Sequence, residues 1–226
     1  MKRKSIVIKT LALTSALIVI LLASPLAYAT SSIAYVYLAP QSIIGTEYVP
    51  CTEFTISLVV ENVSELKVLS LNLSYAPRIL SYRGHVIAHA EQINSAQFTA
   101  SDENGVFFLN VSFGNGLTFV GPSQIANITF HVLKRGETAL NLTVIQIMDA
   151  SGNSISYETI NGYFSNLSPY DANKDGRIDI EDVALVAYSL GSYPGHPRWN
   201  PDADVNQDGV IDIIDVTLVA AHFGQY

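Results

Sequence analysis

The sequence predicts an all-β sandwich followed by a small α-helical module. Residues 31–165 carry short apolar runs with a period of two, separated by turn residues. Residues 167–226 change to a helical period and hold ten of the twenty acidic residues. With 49% hydrophobic and 14% charged residues, the chain of 226 residues has the composition of a folded protein. Its net charge of −8 argues against nucleic acid as a partner, because phosphate binding requires a basic surface.

The first 29 residues are interpreted as a secretory signal peptide. Four basic residues and no acid precede an apolar run of 13 residues at positions 11–23, and Ala27-Tyr28-Ala29 has the small-x-small cleavage pattern. An uncleaved anchor is the alternative, but the run is shorter than the ~20 residues of a membrane span. We therefore expect a secreted protein, extracellular or cell-surface associated, without a membrane span after cleavage and with a net charge of −12.

Residues 30–165 are predicted to form the sandwich. Residues 69–75 alternate strictly between apolar and polar, and similar runs occupy residues 106–113 and 125–133. Turn signals such as Asn104-Gly105 and Arg135-Gly136 separate the runs. Eight or nine short strands without a convincing amphipathic helix are typical of an antiparallel β-sandwich. The single cysteine, Cys51, excludes an intrachain disulfide, so apolar burial must hold this domain together.

The C-terminal module contains an internal repeat. Residues 171–193 and 204–226 align at an offset of 33, with 14 of 23 positions identical. Each copy fits D-x-N-x-D-G-x-I-D-x-x-D, which is the EF-hand loop pattern with Asp in place of Glu at position 12. Residues 166–170 are predicted to be a linker, because Ser168-Pro169 breaks the chain.

The repeated pattern predicts two Ca²⁺ sites. Ca²⁺ takes six to eight oxygen ligands at about 2.3–2.6 Å. Positions 1, 3 and 5 supply side-chain oxygens, position 6 is glycine for the sharp turn, position 7 supplies a carbonyl, position 9 acts through water, and position 12 closes the shell. The alternative is an acidic, solvated turn, but two copies in register favour the metal. The predicted ligands are Asp171, Asn173, Asp175, Arg177 (carbonyl), Asp179 and Asp182 in the first loop, and Asp204, Asn206, Asp208, Val210 (carbonyl), Asp212 and Asp215 in the second.

Each loop is followed by a predicted helix, but no helix is expected before the first loop. The first helix carries the apolar stripe Val183, Val186, Ala187 and Leu190, and the second carries Val216, Val219, Ala220 and Phe223. We expect these stripes to form a shared core. Because four carboxylates per loop repel one another and the module has about 60 residues without a disulfide, we also expect its folding to depend on Ca²⁺.

The loop–helix repeat with Asp at position 12 resembles the dockerin family. The resemblance implies an EF-hand-like dockerin module, residues 171–226, that binds a cohesin domain on another protein in a Ca²⁺-dependent manner. In dockerins, loop positions 10 and 11 and helix positions 17 and 18 contact the partner. In this sequence those positions are Ile180, Glu181, Ala187, Tyr188, Ile213, Ile214, Ala220 and Ala221. The alternative is that they complete a small core, and Ala187 and Ala220 fit both interpretations.

Residues 33–165 resemble the cohesin domain. The resemblance depends on residues 36–40, 54–63 and 71–77, on Ile125-Ala126-Asn127-Ile128-Thr129-Phe130, and on the closing residues 161–164. It implies a jelly-roll sandwich that receives a dockerin domain from another protein or from a second copy of this chain. If the chain's own domains fit each other, the contact is heterologous and gives open filaments. Cohesins are related in shape to carbohydrate-binding sandwich modules, so polysaccharide is the alternative ligand.

The two resemblances predict a noncatalytic adaptor that serves polysaccharide breakdown or a cell-surface complex. A carbohydrate-binding accessory module tethered by a dockerin is the second hypothesis. A glycoside hydrolase is the third, but the acids outside the module form no recognisable acid/base pair. We therefore expect no enzyme activity. Six Asn-x-Ser/Thr sequons are glycosylation candidates: Asn62, Asn72, Asn110, Asn127, Asn141 and Asn166.

Overall fold

The computed structural model describes residues 33–93 and 98–225, so the signal peptide predicted for residues 1–29 lies outside the described residues. Within these ranges the chain forms eleven strands and then two α-helices. The strands are β1 (Ala34–Ala39), β2 (Ser42–Ile44), β3 (Glu53–Glu61), β4 (Val63–Ser74), β5 (Leu80–Ile87), β6 (Thr99–Glu103), β7 (Val106–Phe119), β8 (Ser123–Val132), β9 (Glu137–Asp149), β10 (Tyr157–Ile160) and β11 (Gly162–Ser165), and the helices are α1 (Ile180–Ser189) and α2 (Ile213–Ala221).

The strands form two sheets that enclose one core. The five-stranded sheet has the order β10-β1-β3-β8-β5, and the six-stranded sheet has the order β2-β11-β9-β4-β7-β6. The strands pair antiparallel except at β1–β10 and β2–β11, where the pairing is parallel. The two parallel pairs and the count of eleven strands depart from the predicted eight or nine antiparallel strands. Both parallel pairs join a segment near the start of the domain to one near its end.

Alternation along the strands explains how this sequence fills the core. In β4, Leu69, Leu71 and Leu73 are fully buried, whereas the intervening Asn72 lies half-buried on the outer face. Four phenylalanines from β7, β8 and β11 are also fully buried. The ring of Phe164 stacks on that of Phe54 with centroids 4.9 Å apart. The predicted all-β sandwich is therefore confirmed.

The C-terminal module has a second, smaller core between α1 and α2. Its two repeats exchange backbone hydrogen bonds reciprocally. The amide of Ile178 in the first repeat donates to the carbonyl of Gln225 after α2, and the amide of Ile211 in the second repeat donates to the carbonyl of Ser192 after α1. Each repeat is thus closed by the tail of the other. In residues 166–179, all of which are described, no helix precedes the first loop.

The helix faces that form this core differ from the predicted stripes. Val186 and Val219 are buried as expected, but Ala187, Ala220, Leu190 and Phe223 are exposed. Both helices are short, so Leu190 and Phe223 lie beyond the last helical residue. Val183 and Val216 of the predicted stripes are partly buried against this core, as are Leu185 and Leu218, which the stripes did not include. Among the described residues, no helix is long and apolar enough to cross a membrane.

Candidate metal-binding loops and interaction face

Both predicted loops adopt a tight turn that depends on a glycine at position 6. Gly176 has a φ of 95° and Gly209 has a φ of 87°. Residues with a Cβ rarely adopt this backbone conformation. The residues at position 4, Lys174 and Gln207, have φ values of 60° and 59°. The two loops therefore share one backbone conformation, as the sequence repeat predicts.

Side-chain oxygens from the first loop converge on its backbone amides. Oδ2 of Asp171 accepts the amide of Gly176 at 2.8 Å, and Oδ1 of Asp175 accepts the amide of Arg177 at 2.9 Å. Oδ1 of Asn173 accepts the amide of Asp175 at 2.9 Å. These acceptors hold the turn closed and place three oxygen-bearing side chains around it.

The residue at position 12 closes the first loop and also begins the helix that follows. Oδ1 of Asp182 accepts the amide of Asn173 at 3.0 Å, and its Oδ2 accepts the amide of Asp179 at 2.8 Å. The carboxylate of Asp179 accepts the amide of Glu181, and Asp179 and Asp182 form a reciprocal capping box at the start of α1. Asp182 is fully buried. Because it bonds to amides in the loop and lies in the first turn of α1, its carboxylate links the loop to the helix.

The second loop repeats this hydrogen-bond pattern. Oδ2 of Asp204 accepts the amide of Gly209 at 3.0 Å, and Oδ1 of Asp208 accepts the amide of Val210 at 2.9 Å. Asp215 is fully buried and closes the second loop as Asp182 closes the first. The remaining equivalent contacts run from the amide of Asp208 to Asn206, from the amides of Asn206 and Asp212 to Asp215, and from the amide of Ile214 to Asp212.

The first loop concentrates negative charge in a buried position. Burial raises the pKa of Asp171 from its usual 3.8 to about 6. The carboxylates of Asp182 and Asp175 act in the same direction, whereas the hydrogen bonds from the backbone amides of Gly176 and Asp175 oppose it. A carboxylate perturbed in this way is stabilised in its charged form by a nearby cation.

The donor set of each loop fits Ca²⁺, which prefers hard oxygen ligands from carboxylates, amides and carbonyls. Within residues 33–93 and 98–225, no group of three or more His, Cys, Asp or Glu side chains is arranged to hold a metal ion. The predicted shell of the first loop includes three carboxylates, those of Asp171, Asp175 and Asp182, and in this structure they are not gathered around a common point. The ligand assignments in both loops stay predictions.

The residues predicted to contact a partner lie at the surface of the two helices. The exposed fractions of Ile180, Tyr188 and Ile213 are 65%, 68% and 65%, and that of Ile214 is 52%. Glu181, Ala187, Ala220 and Ala221 are also exposed. These eight residues are called the helix face below. Exposed apolar side chains in such number on two short helices indicate a surface that another molecule covers.

The repeat module exposes four further apolar residues that were not predicted to contact a partner. Their exposed fractions are 41% for Leu190, 55% for Tyr193, 45% for Val210 and 57% for Phe223. Leu190 and Phe223 occupy equivalent places in the two repeats, and the apolar stripes suggested that they were core. Their exposure follows from the ends of α1 and α2, which the helical period does not specify.

The sequons occupy different environments. Asn141 on β9 is exposed, whereas Asn62, Asn72, Asn110 and Asn127 are half-buried. Asn166 is fully buried, and its Nδ2 donates to the carbonyl of Tyr48 at 2.6 Å. Because a glycan is attached at Nδ2, Asn166 is not a glycosylation site in the folded chain.

One family model matches the chain, over residues 169–224, and it describes the dockerin type I domain. Type I dockerin domains are generally calcium-binding. No curated protein matches the chain.

Several solved structures resemble the sandwich. The CaCohA2 chain of Clostridium acetobutylicum, solved in complex with CaDoc0917, has a TM-score of 0.50 at 11% identity, with 58% of this chain and 98% of that chain covered. A non-cellulosomal cohesin from Archaeoglobus fulgidus has a TM-score of 0.49 at 21% identity, over 63% and 96% of the two chains. The seventh ScaB type I cohesin of Pseudobacteroides cellulosolvens has a TM-score of 0.48 at 17% identity, over 59% and 91%.

At these identities the likeness concerns the fold. The chain therefore combines a two-sheet sandwich like those of cohesins with two short C-terminal helices in a segment that matches type I dockerins. This order, a cohesin-like domain followed by a dockerin, is the one that the sequence predicts.

Proposed function

We propose that this chain is a secreted, noncatalytic adaptor that joins other proteins through Ca²⁺-dependent cohesin–dockerin contacts. The helix face is the observation that carries the proposal, because Ile180, Tyr188 and Ile213 are each about two-thirds exposed. In this assignment the helix face binds a cohesin domain, and the sandwich of residues 30–165 receives a dockerin. The repeat module, with one Ca²⁺ in each loop, spans residues 171–226. The biological setting is polysaccharide breakdown or a cell-surface complex.

The helix face begins where each loop ends. Ile180 and Ile213 are the first residues of α1 and α2, directly after the capping residues Asp179 and Asp212. The orientation of the face therefore depends on the closed loops. This dependence is the physical reason for a Ca²⁺ requirement in partner binding.

Two Ca²⁺ ions would be held by equivalent residues in the two loops. In the first loop the ligands are the side chains of Asp171, Asn173, Asp175 and Asp182, with the carbonyl of Arg177. A bound Ca²⁺ supplies the positive charge that balances the buried carboxylates. The chain contributes a closed turn, in which Asp182 accepts the amide of Asn173 and Asp171 accepts the amide of Gly176.

The proposal is tested by sedimentation velocity of the mature chain, residues 30–226, alone and mixed with a panel of purified type I cohesins. We expect a Ca²⁺-dependent complex, either with a cohesin of the panel or between copies of the chain, that dissociates in chelator. Ile213→Asp should abolish this complex because it introduces a charge at an exposed apolar position of the helix face. Val120→Asp is the matched control, since Val120 is 86% exposed on the sandwich.

Two results would contradict the adaptor function. The first is a chain that stays monomeric in Ca²⁺ with itself and with every cohesin of the panel. The second is retention on insoluble polysaccharide that needs neither Ca²⁺ nor a protein partner, which would favour the carbohydrate-binding alternative.

A further inference from the structure

The connection between the sandwich and the repeat module is anchored at its first residue. Asn166 is fully buried at the end of β11. Its Nδ2 donates to the carbonyl of Tyr48 at 2.6 Å, and its Oδ1 accepts the amide of Gly136 at 2.8 Å. Nη1 of Arg135 donates to the carbonyl of Asn166 at 2.8 Å. The chain therefore leaves the sandwich at a fixed point, at the start of the segment predicted to be a linker.

The last residue of the connection is anchored in the repeat module. The ring of Tyr170 stacks on that of His222 with centroids 3.6 Å apart. The carbonyl of Ser168 accepts the amide of Asp171 at 3.1 Å, so the connection turns directly into the first loop. Only residues 167–169 lie between the two anchors.

A side chain of the first loop bridges the two domains. Nζ of Lys174 lies 3.5 Å from Oε1 of Glu137, the first residue of β9, and 3.1 Å from Oδ1 of Asp202 in the module. Glu137 also accepts the hydroxyl of Tyr163 on β11, which holds its carboxylate toward the module. An exposed ion pair contributes little alone, so this bridge acts together with the contacts around it.

The internal repeat allows a comparison of how closely each loop approaches the sandwich. A Cβ added to Gly176 would lie 3.0 Å from Cβ of Arg135, whereas one added to Gly209 would meet no described atom within 4 Å. Position 4 is Lys174 in the first loop and Gln207 in the second, so only the first loop carries the bridging cation. Identical loop patterns are thus used differently. The first loop approaches Arg135 closely and pairs Lys174 with Glu137, whereas Gln207 of the second loop lines a cavity that Glu137 also lines.

We propose that the first loop is a docking element for the sandwich, which holds the two domains as one rigid body and leaves the helix face free for a partner. The described part of residues 31–226 belongs to one compact unit. The 65–68% exposure of Ile180, Tyr188 and Ile213 shows that this docking does not use the helix face. A rigid connection fixes the angle between the partner of the sandwich and the partner of the module. A flexible linker would let the two partners reorient relative to each other. The inference does not depend on the identity of either partner.

The test is ¹⁵N relaxation of the mature chain in Ca²⁺, which reports the rotational correlation time of each domain separately. We expect equal correlation times for residues 33–165 and 171–225. A four-residue Gly-Ser-Gly-Ser insertion between Ser168 and Pro169 lengthens the connection, and the two times should stay equal because the docking contacts remain. Adding Lys174→Gln and Arg135→Gln to the insertion should give the module a shorter correlation time than the sandwich.

The substitution Lys174→Gln installs the residue that the second loop carries at the same position with the same φ, so it is compatible with the turn. Arg78→Gln combined with Arg83→Gln in the chain with the insertion replaces two exposed basic residues of the sandwich, so it is the charge-matched control and should leave the correlation times equal. Faster tumbling of the module in the wild-type chain, or in the chain with the insertion alone, would overturn the proposal. So would equal times in the chain that combines the insertion with both substitutions. Each of these results is independent of cohesin binding, so the proposed function and the docking are refuted separately.

Discussion

Truncating Asp182 should unfold the first repeat, because this carboxylate holds together both the loop and the helix. Asp182 is fully buried, and its two oxygens accept the amides of Asn173 at 3.0 Å and Asp179 at 2.8 Å. The substitution Asp182→Ala leaves both amides without an acceptor. It also removes the residue that closes the predicted metal shell from the start of α1.

The magnitude follows from the two hydrogen bonds. A hydrogen bond to a charged acceptor contributes about 1.5–3 kcal/mol, so the loss of both costs about 3–6 kcal/mol. A single small core rarely supplies more than about 3–5 kcal/mol to a module of this size. The loss is therefore comparable with the whole stability of the module, even before the weaker binding of Ca²⁺ is counted.

The assay is amide hydrogen exchange of residues 180–189 in the mature chain with Ca²⁺. We expect protection of α1 in the wild type and its loss in Asp182→Ala. Glu181→Ala is the matched control, since Glu181 is the exposed neighbour and accepts none of the loop amides. Protection of α1 in Asp182→Ala at the wild-type level would refute the reasoning.

Three further predictions concern the sandwich. Phe130→Ala should lower the free energy of unfolding by about 3–5 kcal/mol in urea titrations, because Phe130 is fully buried against Phe54 and Tyr75, and an unchanged midpoint would contradict this. Burial lowers the pKa of His85 below 6.5, so protonation favours the unfolded chain and the free energy of unfolding should fall as the pH drops through 6.5. His85→Phe should flatten this part of the pH–stability curve. Equal slopes in both proteins would exclude His85 as the cause. In a host that glycosylates sequons, mass spectrometry should find no glycan on Asn166, and a modified Asn166 peptide would show that its burial is wrong.

The loops could be predicted from the sequence because their structure is local. The acidic residues, Asn173 and Gly176 lie within twelve positions, and the hydrogen bonds that close the turn join residues at most nine apart in the chain. The starts of the helices are equally local, because Asp179 and Asp182 form the capping box that begins α1. The conformation of each loop is therefore encoded within its own repeat.

The features that the sequence did not reveal depend on distant residues. Asn166 has the pattern of a surface sequon, but its partner Tyr48 lies 118 positions away. The helical period places Leu185 and Ala187 on nearly opposite sides of α1, and only the position of α2 decides that Leu185 packs inward. The parallel pairing of β1 with β10 likewise joins the two ends of the domain, which no local pattern specifies.

The central claim, that the C-terminal repeats are Ca²⁺ loops, is tested most directly by calorimetric titration of Ca²⁺ into the chelator-treated mature chain. The account predicts two ions bound per chain and no binding when Asp182→Ala and Asp215→Ala are combined. A wild-type chain that binds no Ca²⁺, or a double variant that titrates like the wild type, would contradict it.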